Sequence, residues 1–389
     1  MSKMFGALIA LFLVFAGPVR AQIDIPVTYL QVEQEQPPTL SNLDPTPPDL
    51  GQAGAALGLT DNLTTGGFLG HDYALNVISV PLGDDPMAAA QQALQISPLM
   101  IVDAPAADLL AIADLPQAAN AVLFNAAAPD PALRNGDCRA NVLHTLPSLT
   151  MRADALMQFV RFKRWDDLAL VSGAHPRDRA FARALTDSAA KFGLKIGATA
   201  DWIFDADMRR NAAQEVPVFT QQLGSYDLLL LSDEIDDFAR YIPYNTWTAR
   251  PTAGSQGLVP TAWAPVVEQW GAAQLQSRFH DLAGRDMRAR DYAAWAAMRA
   301  LGEAVTRTNS ADAAALRAFL LSDRFELAGF KGRPLSFRTW NGQLRQPIPL
   351  VTARALVAQA PLPGYLHERT ELDTLGLDQP ESTCTAFAN

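Results

Sequence analysis

Short β-rich segments alternate with segments of helical spacing from residue 23 almost to residue 232. Strands are predicted at residues 25–32, 74–80, 99–102, 121–124 and 141–145, and helical periodicity is clear at residues 87–96. Alternating strands and helices wind into a parallel sheet that helices cover on both faces. The sequence therefore predicts an α/β fold.

The same alternation starts again after Pro147, with helices at about 150–164 and 177–192 and strands at 168–172, 194–202 and 227–232. Consecutive helices follow at 266–283, 289–306 and 311–321, and then strands at 325–330, 335–340 and 348–351. A chain of 389 residues is also longer than one core usually accommodates. We therefore predict two lobes, each a parallel sheet flanked by helices.

The predicted first lobe combines residues 22–146 and 258–322, and the predicted second lobe combines residues 147–257 and 323–360. Residues 361–389 form a C-terminal tail in this interpretation. The chain then crosses between lobes near Pro147, at 254–258 and at 321–325, and several crossings together make a hinge. We expect a ligand in the cleft, at the carboxyl ends of the parallel strands.

The N-terminus has the pattern of a secretory signal peptide. Lys3 precedes an apolar run at residues 5–16, and Val19 and Ala21 supply small side chains before a cut after Ala21. The run is shorter than the roughly 20 residues that span a bilayer, so a retained anchor is the weaker alternative. We predict that residues 1–21 are removed and that the mature chain is soluble in the periplasm.

The charge balance excludes one class of partner. The 41 acidic residues outnumber the 31 basic ones, and the formal net charge is −10. Nucleic-acid binding needs a basic patch or stripe, so no nucleic-acid partner is expected. The two cysteines, Cys138 and Cys384, predict a disulfide in an oxidising compartment, and two unpaired structural cysteines are the alternative.

No catalytic or metal-binding pattern has the required spacing. Residues 253–257 read Ala-Gly-Ser-Gln-Gly, which lacks the first glycine of the nucleophile elbow, and no strand leads directly into them. The five histidines lie far apart, without a zinc-binding pair on one helix. We therefore predict a protein that is not an enzyme, with no catalytic residue and no metal site.

A series of short motifs runs in one order through most of the mature chain. They are His144-Thr145-Leu146-Pro147-Ser148, Lys163-Arg164-Trp165, Lys191-Phe192-Gly193, Asp207-Met208-Arg209-Arg210, Glu215-Val216-Pro217, Tyr244-Asn245-Thr246-Trp247, residues 268–276, Phe330-Lys331-Gly332-Arg333, Gln343-Leu344-Arg345-Gln346-Pro347, Leu372-Asp373-Thr374-Leu375-Gly376 and Cys384. In this order the sequence resembles the type I periplasmic solute-binding proteins related to branched-chain amino-acid receptors. More narrowly, it resembles the ABC-transporter substrate-binding proteins associated with PQQ-dependent alcohol dehydrogenase systems.

The resemblance implies a venus-flytrap fold and capture of a small solute for an ABC transporter permease, without a prosthetic group. Pyrroloquinoline quinone (PQQ) or a compound of alcohol oxidation is the implied ligand. The alternative is a carrier or sensor that delivers the ligand to a PQQ-dependent dehydrogenase or to a receptor. Amino-acid receptors of the superfamily carry hydroxyl side chains in a loop that here reads Asn-Ala-Ala-Ala-Pro at 125–129, which argues against an amino acid. We expect a monomer.

Aromatic and cationic side chains gather before the second predicted crossing. Tyr244, Trp247 and Arg250 lie within seven positions on irregular chain. Rings stack on planar ligands and a guanidinium binds a carboxylate in a fork, so these residues are predicted to bind the ligand. The alternative is that Tyr244 and Trp247 only cap the second lobe by packing.

Charged residues at the ends of predicted strands are the other candidates for ligand binding. His175 and Arg177 follow the strand at 168–172, Arg209 follows that at 194–202, and Glu234 follows that at 227–232. Exposed loop charges are the alternative for each of them. His144 flanks the first crossing, where it is predicted either to bind ligand or to hydrogen-bond within the hinge.

Overall fold

A parallel five-stranded sheet forms the centre of the first lobe in the computed structural model, which describes residues 22–36, 45–203 and 208–387 and no side chains at 208–210. Its strand order is β2-β1-β3-β4-β5. The strands are β1 (Ile23–Val32), β2 (His71–Val80), β3 (Leu99–Asp103), β4 (Val122–Asn125) and β5 (Val142–His144). Every residue of β3 and β4 is buried because helices cover both faces of the sheet.

Six helices complete this lobe. Three lie between its strands: α1 (Gln52–Leu69), α2 (Pro86–Ile96) and α3 (Ala106–Ala113). Three return from late in the sequence: α7 (Ala272–Ala283), α8 (Ala289–Thr308) and α9 (Ala313–Leu320). Helix α8 packs closely on α1, since a Cβ at Gly54 would overlap the backbone of Asp291.

The second lobe repeats the design with a parallel four-stranded sheet of order β7-β6-β8-β9. Its elements are α4 (Leu149–Lys163), β6 (Asp167–Ser172), α5 (Pro176–Lys191), β7 (Lys195–Asp201), α6 (Met208–Gln221), β8 (Leu228–Ser232) and β9 (Thr252–Gly254). All five residues of β8 are buried. The predicted two-lobed α/β fold is thus confirmed.

One helix starts later than predicted. The helix expected at 266–283 begins at Ala272, after a short 3₁₀ turn at Gln269–Gly271. Trp270 lies in that turn with a φ of 56°, and 42% of its surface is exposed. A left-handed residue cannot continue an α-helix. The predicted helix therefore begins six residues later than expected, and Trp270 lies outside it.

The last strands divide between the two lobes. Strands β11 (Leu327–Ala328), β12 (Pro334–Phe337) and β13 (Leu344–Arg345) pack in the core of the first lobe, where Phe337 lies against Phe124. Strand β14 (Ile348–Thr352) pairs with β10 (Val259–Pro260) on one side and with β15 (Ala355–Ala360) on the other, and Ile348 packs in the core that contains α4. The change of lobe therefore falls between Arg345 and Ile348, later than the 321–325 and the boundary at 323 expected from the sequence.

The C-terminal tail makes contacts with both lobes. The amide of Gly376 donates to Asp154 of α4 over 2.8 Å, and Leu375 packs in the core of the second lobe. Further on, Cys384 forms a disulfide with Cys138 of the first lobe, which confirms the predicted pair. No helix in the described ranges combines the length and the apolar character that a membrane span requires.

Candidate functional site

The interlobe cleft lies where the helices that follow the strands begin. Arg177 stands in the first turn of α5, behind β6 of the second lobe. Arg290 stands in the first turn of α8 and is 3.3 Å from Asp103 at the end of β3 in the first lobe. The charge of Arg290 lowers the pKa of Arg177, in agreement with both helix starts lying at the carboxyl ends of the strands. These side chains place the candidate site between the lobes, at the expected carboxyl ends of the strands.

On the second-lobe side, Arg152 of α4 holds the carboxylate of Glu234. The guanidinium donates to both carboxylate oxygens, over 2.6 and 3.0 Å. The hydroxyl of Ser255 donates to the same carboxylate over 3.0 Å. Burial alone would raise the pKa of Glu234, but Arg152 and Ser255 outweigh it and the pKa is lowered. Glu234 is therefore a fixed, ionised group whose charge is neutralised within the lobe.

The start of α5 is held by a reciprocal cap. The imidazole Nδ1 of His175 accepts the amide of Arg177 over 3.3 Å, and Asp178 accepts the amide of His175. Asp178 also accepts the amide of Glu234 over 2.6 Å, and burial raises its pKa to about 6. This cap brings His175, Arg177 and Glu234 together beyond the ends of β6 and β8.

The side chain of Arg177 has no hydrogen bond or ion pair with any residue that the structure describes, and it is half-buried. The charges of Asp178 and Glu234 act on it without direct contact. Burial and, after it, the charge of Arg290 lower its pKa. A half-buried cation without a partner is costly unless an anion joins it. Of the residues predicted from sequence to bind ligand, Arg177 has the geometry best suited to it.

The first-lobe side of the cleft contains a buried acid with two partners. Asp103 accepts the phenol of Tyr29 over 2.8 Å and pairs with Arg290 at 3.3 Å. Burial raises the pKa of Asp103, while Arg290 and Tyr29 act in the opposite direction. The guanidinium of Arg290 remains partly open, because 29% of its side chain is exposed. Arg290 can therefore serve Asp103 and a ligand at the same time.

His144 lies inside the hinge and not in the cleft. Its side chain is 1% exposed, and its Nδ1 is 3.0 Å from the amide nitrogen of Asn125, which donates to it. Burial and the charge of Arg134 lower its pKa well below the usual range. Its backbone also pairs with Gln343, just before β13. Of the two roles predicted for His144, the hydrogen-bonding one fits this placement.

The aromatic group lies at the other end of the second lobe. The amide of Trp247 donates to the hydroxyl of Thr220, in the last turn of α6. Burial raises the pKa of Tyr226, just before β8 begins, and the charge of Arg250 acts against that increase. Both contacts belong to the amino ends of the strands, opposite the cleft. Tyr244 is fully exposed there, and 62% of Trp247 is exposed. These contacts place Trp247 and Arg250 away from the cleft, so the stacking site predicted from Tyr244, Trp247 and Arg250 does not form within it.

Three further points complete the predicted set. The side chain of Arg209 lies outside the described residues. Within the described ranges, no group of three His, Cys, Asp or Glu side chains is placed to hold a metal ion.

A cavity of about 300 Å³ lies beside α5 and β7, where Arg179 pairs with Asp201 at its rim. It is lined by neither Arg177 nor Glu234, so it is separate from the candidate site.

Sequence reasoning missed Arg152, Ser255, Asp103 and Arg290. Asp103 had a signal, because it directly follows a buried strand at 99–102. Ser255 was interpreted only as part of a turn, although that turn follows the short strand β9. Arg152 and Arg290 had no local signal, since their partners Glu234 and Asp103 are distant in the sequence.

No family model and no curated relative matches the sequence. Solved structures do share its fold. A branched chain amino acid ABC transporter periplasmic ligand-binding protein from Burkholderia xenovorans superposes with a TM-score of 0.71 at 14% identity, covering 94% of this chain and 100% of that one. An ABC transporter substrate-binding protein from Sphaerobacter thermophilus has a TM-score of 0.68 at 15% identity, covering 91% and 100%.

A third neighbour was solved with a ligand. It is an ABC transporter substrate-binding protein from Desulfitobacterium hafniense in complex with leucine, with a TM-score of 0.64 at 17% identity, covering 86% of this chain and 99% of that one. These similarities extend over both lobes and most of each chain. The chain therefore has the two-lobed α/β fold of the type I periplasmic binding proteins.

Proposed function

We propose that this chain is an exported solute-binding protein of an ABC importer, which captures a small solute between its two lobes. The observation that carries the proposal is that each lobe places an arginine at the carboxyl ends of its strands, Arg177 in the first turn of α5 and Arg290 beside Asp103, in a fold whose neighbours are described as ABC transporter binding proteins. Such a cleft closes on a ligand because contacts from both lobes favour the closed state.

Binding without turnover agrees with the chemistry of the cleft. The hydroxyl of Ser255 is held by Glu234, whose carboxylate is neutralised by Arg152 and is a weak base. A serine nucleophile needs a nearby general base to take its proton. The proposal therefore includes no reaction step. The periplasm, a membrane permease as partner and a monomeric state belong to the same proposal, and the signal peptide at 1–21 lies outside the described residues.

The structure bears on PQQ as a candidate ligand in two opposite ways. Its carboxylates would suit Arg177 and Arg290. Its planar rings would find no stacking surface in Trp247, which lies at the far end of the lobe. Delivery of the quinone to a PQQ-dependent dehydrogenase is the alternative role. It predicts quinone binding without any loss of solute uptake when the gene is deleted.

The test combines a thermal shift with small-angle X-ray scattering of the mature protein. A panel of carboxylates, PQQ, amino acids, alcohols and aldehydes is titrated. A ligand at about a hundredfold excess over its Kd stabilises the folded state by about 2.7 kcal/mol, so the melting temperature rises. The radius of gyration falls as the lobes close. A panel without any shift in either measurement contradicts the proposed function.

A further inference from the structure

The cleft presents two guanidinium groups from opposite lobes and few free acids to balance them. The side chain of Arg177 has no hydrogen bond or ion pair among the described residues, although Asp178 and Glu234 act on its charge, and Arg290 shares its charge with the single carboxylate of Asp103. Two cations that repel each other across a hinge favour the open state. An anion between them removes that repulsion and adds charge-assisted hydrogen bonds to both lobes.

The acids near these arginines are already occupied. Glu234 is paired with Arg152 over 2.6 Å, and Asp103 accepts from Tyr29 over 2.8 Å. Asp178 accepts two backbone amides, and Asp233 accepts the amides of residues 237, 238 and 239. A ligand ammonium needs an acid with free lone pairs and little competing charge. Asp103 keeps one buried carboxylate oxygen that accepts no hydrogen bond, but that oxygen is the one that lies 3.3 Å from Arg290. In the described part of the cleft, each of these four acids therefore already has at least one partner.

The loop after β4 adds a second, independent restriction. Its three alanines, Ala126, Ala127 and Ala128, are buried and carry no hydroxyl. Asn125 turns its amide oxygen to the backbone amides of Ala127 and Ala128, over 3.1 and 2.8 Å. The side chains of this loop therefore supply no hydroxyl for anchoring a ligand, and the polar anchoring falls to other residues, the two arginines among them.

We propose that the ligand is an organic acid without a free amino group, and that one of its carboxylates bridges Arg177 and Arg290 and so draws the lobes together. This inference rests on the proposed function and narrows it to a substrate class. It separates this chain from amino-acid binding, since a zwitterion would bring an ammonium group that the cleft does not neutralise.

The experiment uses three compounds of matched shape: 4-methylpentanoate, L-leucine and 3-methylbutylamine. Succinate, benzoate, PQQ, 3-methylbutanol and the other common amino acids extend the set. All are offered together to the mature protein, and the bound compounds are released and identified by mass spectrometry. Calorimetry then gives the Kd of each. Arg177→Gln is the test variant, and Arg250→Gln is the control, because it removes the same charge from the exposed far end of the lobe.

We expect the bound compounds to be carboxylates without an amino group. Arg177→Gln should weaken their binding by about tenfold to a hundredfold, the usual effect of losing a hydrogen bond to a charged group, while Arg250→Gln leaves it unchanged. Arg290→Lys keeps the pair with Asp103, loses the fork and should weaken binding as well.

Two results overturn the inference. If the protein retains amino acids, amines or alcohols, or if Arg177→Gln binds as tightly as the wild type, the carboxylate bridge is wrong but solute binding stands. If the protein retains no compound of any class, both the bridge and the proposed function are contradicted. Folding of each variant is checked by its melting temperature, so a loss of binding is not confused with a loss of structure.

Discussion

Arg152 and Glu234 form a two-pronged ion pair whose side chains are only 17% and 16% exposed. Arg152 also donates to the carbonyl of Pro260 over 3.1 Å, so one guanidinium links the start of α4, the end of β8 and the strand β10. The pair therefore holds these three elements together on the second-lobe side of the cleft.

Replacing Arg152 with alanine should destabilise the fold by about 3 kcal/mol or more, because it leaves a buried carboxylate without its partner. Urea denaturation measures the change. Arg161→Ala breaks the exposed pair with Asp166 and should cost less than about 1 kcal/mol. Equal losses in the two variants would show that Glu234 does not depend on Arg152.

Removing the disulfide should destabilise the native state by about 2–5 kcal/mol, since Cys138 and Cys384 close a loop with a sequence separation of 246. Cys384→Ser and the double serine variant should have the same urea midpoint. A reducing agent should lower the midpoint of the wild type to theirs and leave the variants unchanged. A wild type that does not respond to reduction under denaturing conditions would contradict the pairing.

Acid should destabilise the fold through His144. Its pKa is well below 6.5 in the native state because of burial and Arg134. Below about pH 6.5 the unfolded chain takes up a proton that the native imidazole refuses, so stability falls with falling pH, by at most about 1.4 kcal/mol per pH unit. Above that pH the contribution is constant.

The measurement compares the wild type with His144→Gln at pH 7.5, 6.5 and 5.5. Asp178 acts in the opposite direction as the pH rises towards its raised pKa of about 6, but it is present in both proteins and cancels. His175, whose pKa is also lowered, cancels in the same way. We expect the stability difference between the two proteins to shrink towards pH 5.5. A difference independent of pH would exclude His144 as the group.

Trp247→Ala should leave ligand affinity unchanged, because Trp247 lies by Thr220 at the far end of the second lobe. The side chain is 62% exposed, so its removal should also cost little stability, less than about 1 kcal/mol. Calorimetry with the ligand found in the panel tests this. A loss of binding as large as that in Arg177→Gln would restore the stacking site that the structure argues against.

The fold was predictable from the sequence because strands and helices alternate with a regular period. Strand β3 was expected at 99–102 and is Leu99–Asp103, and α4 was expected at about 150–164 and is Leu149–Lys163. Both segments have strong local signals, a buried apolar run and a Ser148 cap. The disulfide followed from the presence of two cysteines in a chain that is predicted to be exported.

The site was predictable where a charged residue lies in the loop or first helical turn after a predicted strand of the second lobe, as Glu234 and Arg177 do. Tyr244 and Trp247 were misplaced because irregular chain gives no direction. The segment that contains them runs from the cleft to the far end of the lobe, and only β9 returns it. Arg290 could not be found, since its role depends on Asp103, which is far away in the sequence and close only after folding.

The pairing of Cys138 with Cys384 also determines when the first lobe is finished. Its core combines Tyr29 from the first strand with Phe337 from a late one, and its covalent closure needs a cysteine near the very end of the chain. A ribosome or a translocation channel delivers these parts in order, from first to last. The first lobe therefore cannot complete its core or its disulfide until nearly all of these residues have emerged, and part of the apolar surface of its early strands stays uncovered until then.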